Sequence, residues 1–172
     1  MYVVKNILVP TDFSDYSAAA IEHASTFAVM YNACLHVLHV VKDSPLLTTR
    51  HTISGAENIP PYRHIPTEDD LGKFVERWLT RLPKVIQAVT YGQPYKEIVK
   101  YAHDEDIDLI VIATHGRTGL NHLLMGSVAE KIVRFSTIPV LTVKPPKLIG
   151  MMSLDGVMPQ QVSEETVLNS VR

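Results

Sequence analysis

The chain has 172 residues, about one domain's worth, and 46% of them are hydrophobic, enough for a buried core. A net charge of −2 leaves no broad basic field to draw it to nucleic acid. A single cysteine, Cys34, excludes an intrachain disulfide and a cysteine-based zinc site, and fits a reducing compartment. The start, MYVVKNILVP, lacks the long apolar core and cleavage site of a signal peptide. No apolar run nears the about 18 residues of a membrane span. The expectation is a cytoplasmic protein with no membrane segment.

In chain order, residues 4–10 (VKNILVP) read as a short buried strand closed by Pro10. Ser14 suits the cap of a helix over 15–31, where Ala20, Ala24, Phe27, Val29 and Met30 recur near helical spacing. Residues 34–41 (CLHVLHVV) read as a second strand. Residues 42–66 hold four prolines, one glycine and no period, a long loop of the kind that is functional or mobile. Thr67 opens a capping-box-like TEDD, with aspartate where glutamate is usual. The helix that follows runs to about Leu82, with Leu71, Phe74, Val75, Trp78 and Leu82 on one side, and Pro83 ends it.

Residues 84–92 are a third strand. Pro94 suits the first turn of a helix that buries Tyr95, Ile98, Val99 and Ala102. Residues 107–113 (IDLIVIA) and 138–144 (IPVLTVK) are the fourth and fifth strands, with a helix over 128–135 between them. Such alternation predicts an α/β fold, a parallel sheet with helices on both faces. Ligands of such sheets bind beyond the carboxyl ends of the strands, near the switch in strand order. Residues 145–172 add no sixth unit. They read as a tail that is loose or docks on a partner, with a short helix over 163–171 capped by Ser163. The acids of 104-DEDID-108 and the later basic residues read as solvated faces.

The stretch 113-ATHGRTGLNHLLMGS-127 carries the functional signal. A phosphate needs unpaired backbone N–H groups, close approach and positive potential, and a helix N-terminus supplies the first and last. Gly116 and Gly126 lack a Cβ, Ser127 adds a hydroxyl, and Arg117 offers a charge-assisted contact. At the other end of the chain, Asp12 in 10-PTDFS-14 lies just past the first strand. It suits a ribose hydroxyl or a water-bound metal; the plainer reading is a helix cap or turn. The pattern is neither a P-loop nor G-x-G-x-x-G. His36 and His39, three apart on one strand, face opposite ways and read as packing residues. His115 and His122 share a loop but show no third ligand. Cys34 reads as a small buried side chain and Trp78 as core.

Together these residues resemble the universal stress proteins, and specifically their nucleotide-binding branch. The likeness rests on P-x-D at Pro10, Thr11 and Asp12, on H-V at His39 and Val40, and on the G-x2-G-x9-G-[ST] motif. That motif reads here as Ala113, two residues, Gly116, nine residues, Gly126 and Ser127. The flanking THGRTGL, GSVAEKIVR and IPVLTV are also typical, and the likeness spans residues 1–144. One departure is Ala113, where the family has glycine; its methyl takes some of the room.

The resemblance implies a Rossmann-like sheet of five parallel strands in the order 3-2-1-4-5, often in a homodimer joined along the last strand. It implies a stress-response sensor or regulator that binds ATP, or ADP or AMP, with Mg²⁺ or Mn²⁺ as the ion that would accompany it, and an unidentified regulatory protein partner. Asp12 would face the ribose, with Pro10 and Thr11 of the same motif also at the nucleotide, and Val40 the adenine through its backbone. Gly116, Gly126 and Ser127 would hold the phosphates with Ala113 beside them and Arg117 adding charge; His115 would be a phosphate-side or hinge residue, and Val128 would also be nucleotide-binding. No general base stands out, so any ATPase or autophosphorylation would be weak. The alternative is a dimeric interaction module of the same family whose loop is structural. A nucleotidyl transferase would want an H-x-G-H type or pyrophosphate-loop signature, and neither occurs.

Overall fold

A computed structural model describes residues 3–42, 65–79, 82–116 and 125–144. Along the chain these form β1 (Asn6–Thr11), α1 (Asp15–Tyr31), β2 (Cys34–Lys42), α2 (Glu68–Leu79), β3 (Lys84–Gly92), α3 (Pro94–Asp104), β4 (Leu109–Ala113), α4 (Ser127–Phe135) and β5 (Val140–Val143). All strand pairs are parallel, in the order β3-β2-β1-β4-β5. The chain winds outward from β1 to β3, then returns to place β4 on the other side of β1. The switch in strand order therefore lies between β1 and β4.

Side-chain alternation along the strands divides the core in two. On one face Ile7, Val9, Leu35, Val37, Val111 and Ala113 pack against Ala20, Ile21 and Ala24 of α1 and Leu71 and Val75 of α2. On the other, Leu8, Leu38, Ile110 and Ile112 meet Ile98 and Ala102 of α3 and Ala129 and Ile132 of α4. The helices thus cover both faces, as the apolar strands require.

The caps follow the sequence. Ser14 sits in extended backbone, and its Oγ accepts from Ser17 N–H at 3.2 Å. Asp70 stands in for glutamate in a working capping box: Thr67 N–H donates to its carboxylate at 2.8 Å, and Asp70 N–H donates to Thr67 Oγ1 at 3.3 Å. Pro94 occupies the first turn of α3.

Several strand boundaries differ from the sequence reading: β1 spans Asn6–Thr11 rather than 4–10, β2 runs to Lys42 rather than 41, and β5 spans Val140–Val143 rather than 138–144. Pro10 does not close β1, which runs on to Thr11. β1 pairs with β4 only at Ile7 and Leu8, so Pro10 falls where β2 is the sole neighbour. β4 begins at Leu109 rather than Ile107. Asp106 adopts a left-handed φ of 47°, and the Asp108 carboxylate accepts the N–H groups of Lys5 and Asn6 at 2.7 and 2.9 Å. Asp108 is therefore no solvated acid; it fixes the entry of β1. The central part of the 42–66 loop, Arg117, His122 and the 145–172 tail lie outside the described residues. No helix among the described residues is long and apolar enough to cross a membrane.

Candidate nucleotide site at the strand switch

The carboxyl ends of β1 and β4 part at the switch point, and a cleft of about 220 Å³ opens there. β1 and its turn contribute Pro10, Thr11 and Asp12, and β2 contributes Val40. The end of β4 contributes Ala113, His115 and Gly116; the start of α4 contributes Gly126, Ser127 and Val128. Every candidate from the sequence except Arg117 is thus gathered into one cleft.

The turn after β1 is closely bonded. Ser14 donates to Asp12 Oδ1 from its N–H at 3.1 Å and from its hydroxyl at 2.5 Å. Ser17 Oγ donates to Ser14 O at 2.8 Å, so across the 2.8 Å contact with Thr11 Oγ1 it is the threonine hydroxyl that donates. Thr11 Oγ1 also accepts Phe13 N–H at 3.0 Å. Asp12 makes an Asx turn, and Ser14 is the cap of α1. Asp12 Oδ1 serves the turn, the plainer of the two readings, while Oδ2 faces Gly116. A Cβ on Gly116 would stand 2.5 Å from that Oδ2. The absence of a side chain at 116 is what lets the carboxylate and the loop after β4 approach.

α4 starts at Gly126, whose extended backbone (φ −68°, ψ 149°) forms the N-cap with no side-chain hydrogen bond to the helix amides. The first amides of a helix have no acceptor within it. Those of Ser127, Val128 and Ala129 stand at the cleft with the partial positive charge of the helix end. Gly126 itself is fastened: its N–H donates to Thr114 O at 2.6 Å, and a Cβ there would lie 3.2 Å from the same oxygen. Thr114 is buried, and its N–H donates to Val143 O of β5 at 2.9 Å. Its hydroxyl is 3.0 Å from His115 Nδ1.

The remaining wall was not legible in the sequence. Leu38, Pro94, Ile98 and Ile112 form an apolar side on the α3 and α4 face. They come from three elements, and only the folded topology assembles them. Ala113 belongs to the core on the α1 face of β4. Its methyl thus lies across the strand from that apolar side, while Ala113 still lines the cleft. His39 is buried at the cleft, with Nδ1 2.8 Å from Thr11 O.

Asp12 is the only carboxylate lining the cleft among the described residues. Among the described residues no group of three or more His, Cys, Asp or Glu side chains comes together to hold a metal ion. A divalent ion carried by a triphosphate takes most of its ligands from phosphate and water, and Asp12 suits the one protein oxygen such an ion needs. His36 and His39 do face opposite ways. His36 meets Tyr101 of α3, its Nδ1 3.1 Å from the hydroxyl, while the His39 ring packs on Phe13 at 4.6 Å. Burial pushes His36 below its ordinary value, with Glu105 opposing and Lys84 assisting. Burial pushes Cys34 up, so the thiol stays protonated.

A model of the universal stress protein family matches residues 4–144. Universal stress protein MJ0531 of Methanocaldococcus jannaschii is 34% identical over 145 residues, covering 83% of this chain and 84% of its own. Among solved structures, universal stress protein UspA from Lactobacillus plantarum has a TM-score of 0.65 at 25% identity, over 82% of this chain and 98% of that one. A universal stress protein solved in complex with cAMP has a TM-score of 0.60 at 22% identity, over 83% of this chain and 98% of that one. That last likeness is one of fold.

Proposed function

Because this chain belongs to the universal stress protein family, we propose that it binds ATP or a related adenine nucleotide in the cleft at the strand switch and regulates a stress response through that binding. The observation that carries the reading is the approach of Asp12 to Gly116 beside the N-terminus of α4. A carboxylate for a sugar hydroxyl and free-ended amides for phosphate then stand on opposite lips of one cleft. The apolar side formed by Leu38, Val40, Ile98 and Ile112 suits a base.

In this reading Asp12 accepts from the ribose and the Val40 backbone meets adenine. The phosphates lie over Gly116 and Gly126 against the amides of Ser127 and Val128, with the Ser127 hydroxyl, His115 and Arg117 at their side. Mg²⁺ or Mn²⁺ enters with the triphosphate. Any ATP hydrolysis or self-phosphorylation is expected to be weak, since Asp12 is already engaged by Ser14. Two protomers join along β5, and a regulatory protein reads the occupied state.

The second reading, a dimeric interaction module without nucleotide, draws on the exposed Leu141 of edge strand β5 and the exposed Val133 and Phe135 of α4. Calorimetric titration with ATP, with and without Mg²⁺, on folded protein freed of co-purified nucleotide separates the two. Micromolar binding supports the nucleotide reading. Absence of binding in that preparation refutes it and leaves the interaction module.

A further inference from the structure

His39 has a place in the fold that its motif does not explain. It lies on β2, one strand away from the Asp12 turn, is 8% exposed, and lines the cleft. Its Nδ1 stands 2.8 Å from Thr11 O. A carbonyl only accepts, so Nδ1 carries the proton and donates. The register of the parallel pair sets Thr11 directly opposite His39, which is why this side chain reaches that carbonyl.

The ring is held from the other side. Phe13 packs on it at 4.6 Å, and Phe74 of α2 packs on Phe13 at 5.2 Å. Phe13 is a bulky residue at a left-handed φ of 63°. A conformation of that kind persists only where its surroundings over-determine it. Asp12 thus sits between two anchored neighbours. Thr11 is tied to β2 through His39, and Phe13 is wedged between His39 and Phe74. Ser14 then fixes Oδ1, and the remaining freedom of the carboxylate is small.

We propose that His39 is a positioning residue for Asp12, acting as its Nδ1–H tautomer, and that through Asp12 it sets the preference of the cleft for nucleotides with an intact ribose diol. The inference rests on the nucleotide reading above and adds a determinant of specificity to it. His39 does its work through the Thr11 carbonyl, not through contact with the sugar. Deleting the Nδ1–H therefore loosens the turn and blurs the diol preference, leaving the base and phosphate contacts in place.

The test compares ATP with 2′,3′-dideoxy-ATP by calorimetry on the wild-type chain, His39→Leu and His39→Asn. Asparagine places an amide N–H near the position of Nδ1, and leucine fills the volume without a donor. Circular dichroism and thermal melts establish that each variant is folded. The wild type is expected to prefer ATP about tenfold or more, the range for hydrogen bonds to a charged acceptor. His39→Leu should reduce that preference to within about twofold while dideoxy-ATP binds as before, and His39→Asn should restore most of it. Equal weakening of both ligands in both variants, or an undiminished preference in His39→Leu, overturns the inference and leaves nucleotide binding standing. A folded wild type that binds neither ligand overturns the nucleotide reading itself, and the inference with it.

Discussion

Replacing Gly116 by alanine drives a methyl into space that Asp12 occupies. The new Cβ would start 2.5 Å from Oδ2, and Cβ contacts under 3.0 Å essentially do not occur, so at least 3.0 − 2.5 = 0.5 Å of movement is required. The carboxylate is planar, and Oδ1 follows Oδ2. Moving or turning the carboxylate displaces Oδ1 as well and weakens the 3.1 Å bond from Ser14 N–H. The shorter bond from the Ser14 hydroxyl would lengthen but survive. One charge-assisted bond at a half-buried carboxylate is worth about 1–2 kcal/mol after allowance for solvent. The melting temperature should fall by about 3–8 °C. Affinity for ATP should fall about tenfold or more, because the oxygen offered to the sugar has moved. Differential scanning calorimetry and isothermal titration on the same preparation give both quantities. A variant with wild-type melting and wild-type affinity would refute the argument, since it would mean that Asp12 and Gly116 do not touch in solution.

Three further outcomes are expected. Gly126→Val places a Cβ 3.2 Å from Thr114 O and branched methyls at the mouth of α4; ATP binding should drop below detection by titration while the urea midpoint changes little. Ala113→Gly removes a methyl that packs in the α1-side core, so stability should fall by about 1 kcal/mol in chemical denaturation with no gain in affinity. The third concerns pH. His36 is pushed below 6.5 in the folded chain, so the unfolded chain binds its proton more readily. Its contribution is complete above pH 6.5 and is lost as pH falls beneath that value. Urea midpoints at pH 7.5 and 5.5 should therefore separate more for the wild type than for His36→Gln; an equal separation would remove His36 from the account.

The fold was legible because several levels of the sequence agreed. LIVIA, 109–113, is apolar at successive positions, as a strand covered on both sides is, and Ser14, Thr67 and Pro94 mark three helix starts. The boundaries that were missed depend on contacts distant in sequence. Nothing local says that Asp108 will take the amides of Lys5 and Asn6 and delay the start of β4. The two lips of the cleft were legible as motifs, one at 10–12 and one at 113–128. Their closeness was not, because it depends on Gly116 admitting Oδ2. The direction of the Ala113 methyl follows from the alternation of β4 about a core whose two halves only the topology defines. His39 was placed on the correct face but without a task, since its partner is a backbone carbonyl on another strand, and carbonyls leave no trace in sequence.

Thr114 joins three parts of the molecule, chiefly through its backbone. Its N–H holds Val143 at the outer strand, and its C=O holds Gly126 at the head of α4. The rim of the sheet and the head of α4 are therefore both fastened to one residue. Any tilt of β5 against β4 is delivered to the head of α4 with little slack between. Linkage is reciprocal, so a ligand that seats the helix also stiffens the rim, and a partner that clamps the rim tightens the seat. The geometry ties the outer edge of the sheet to the mouth of the cleft.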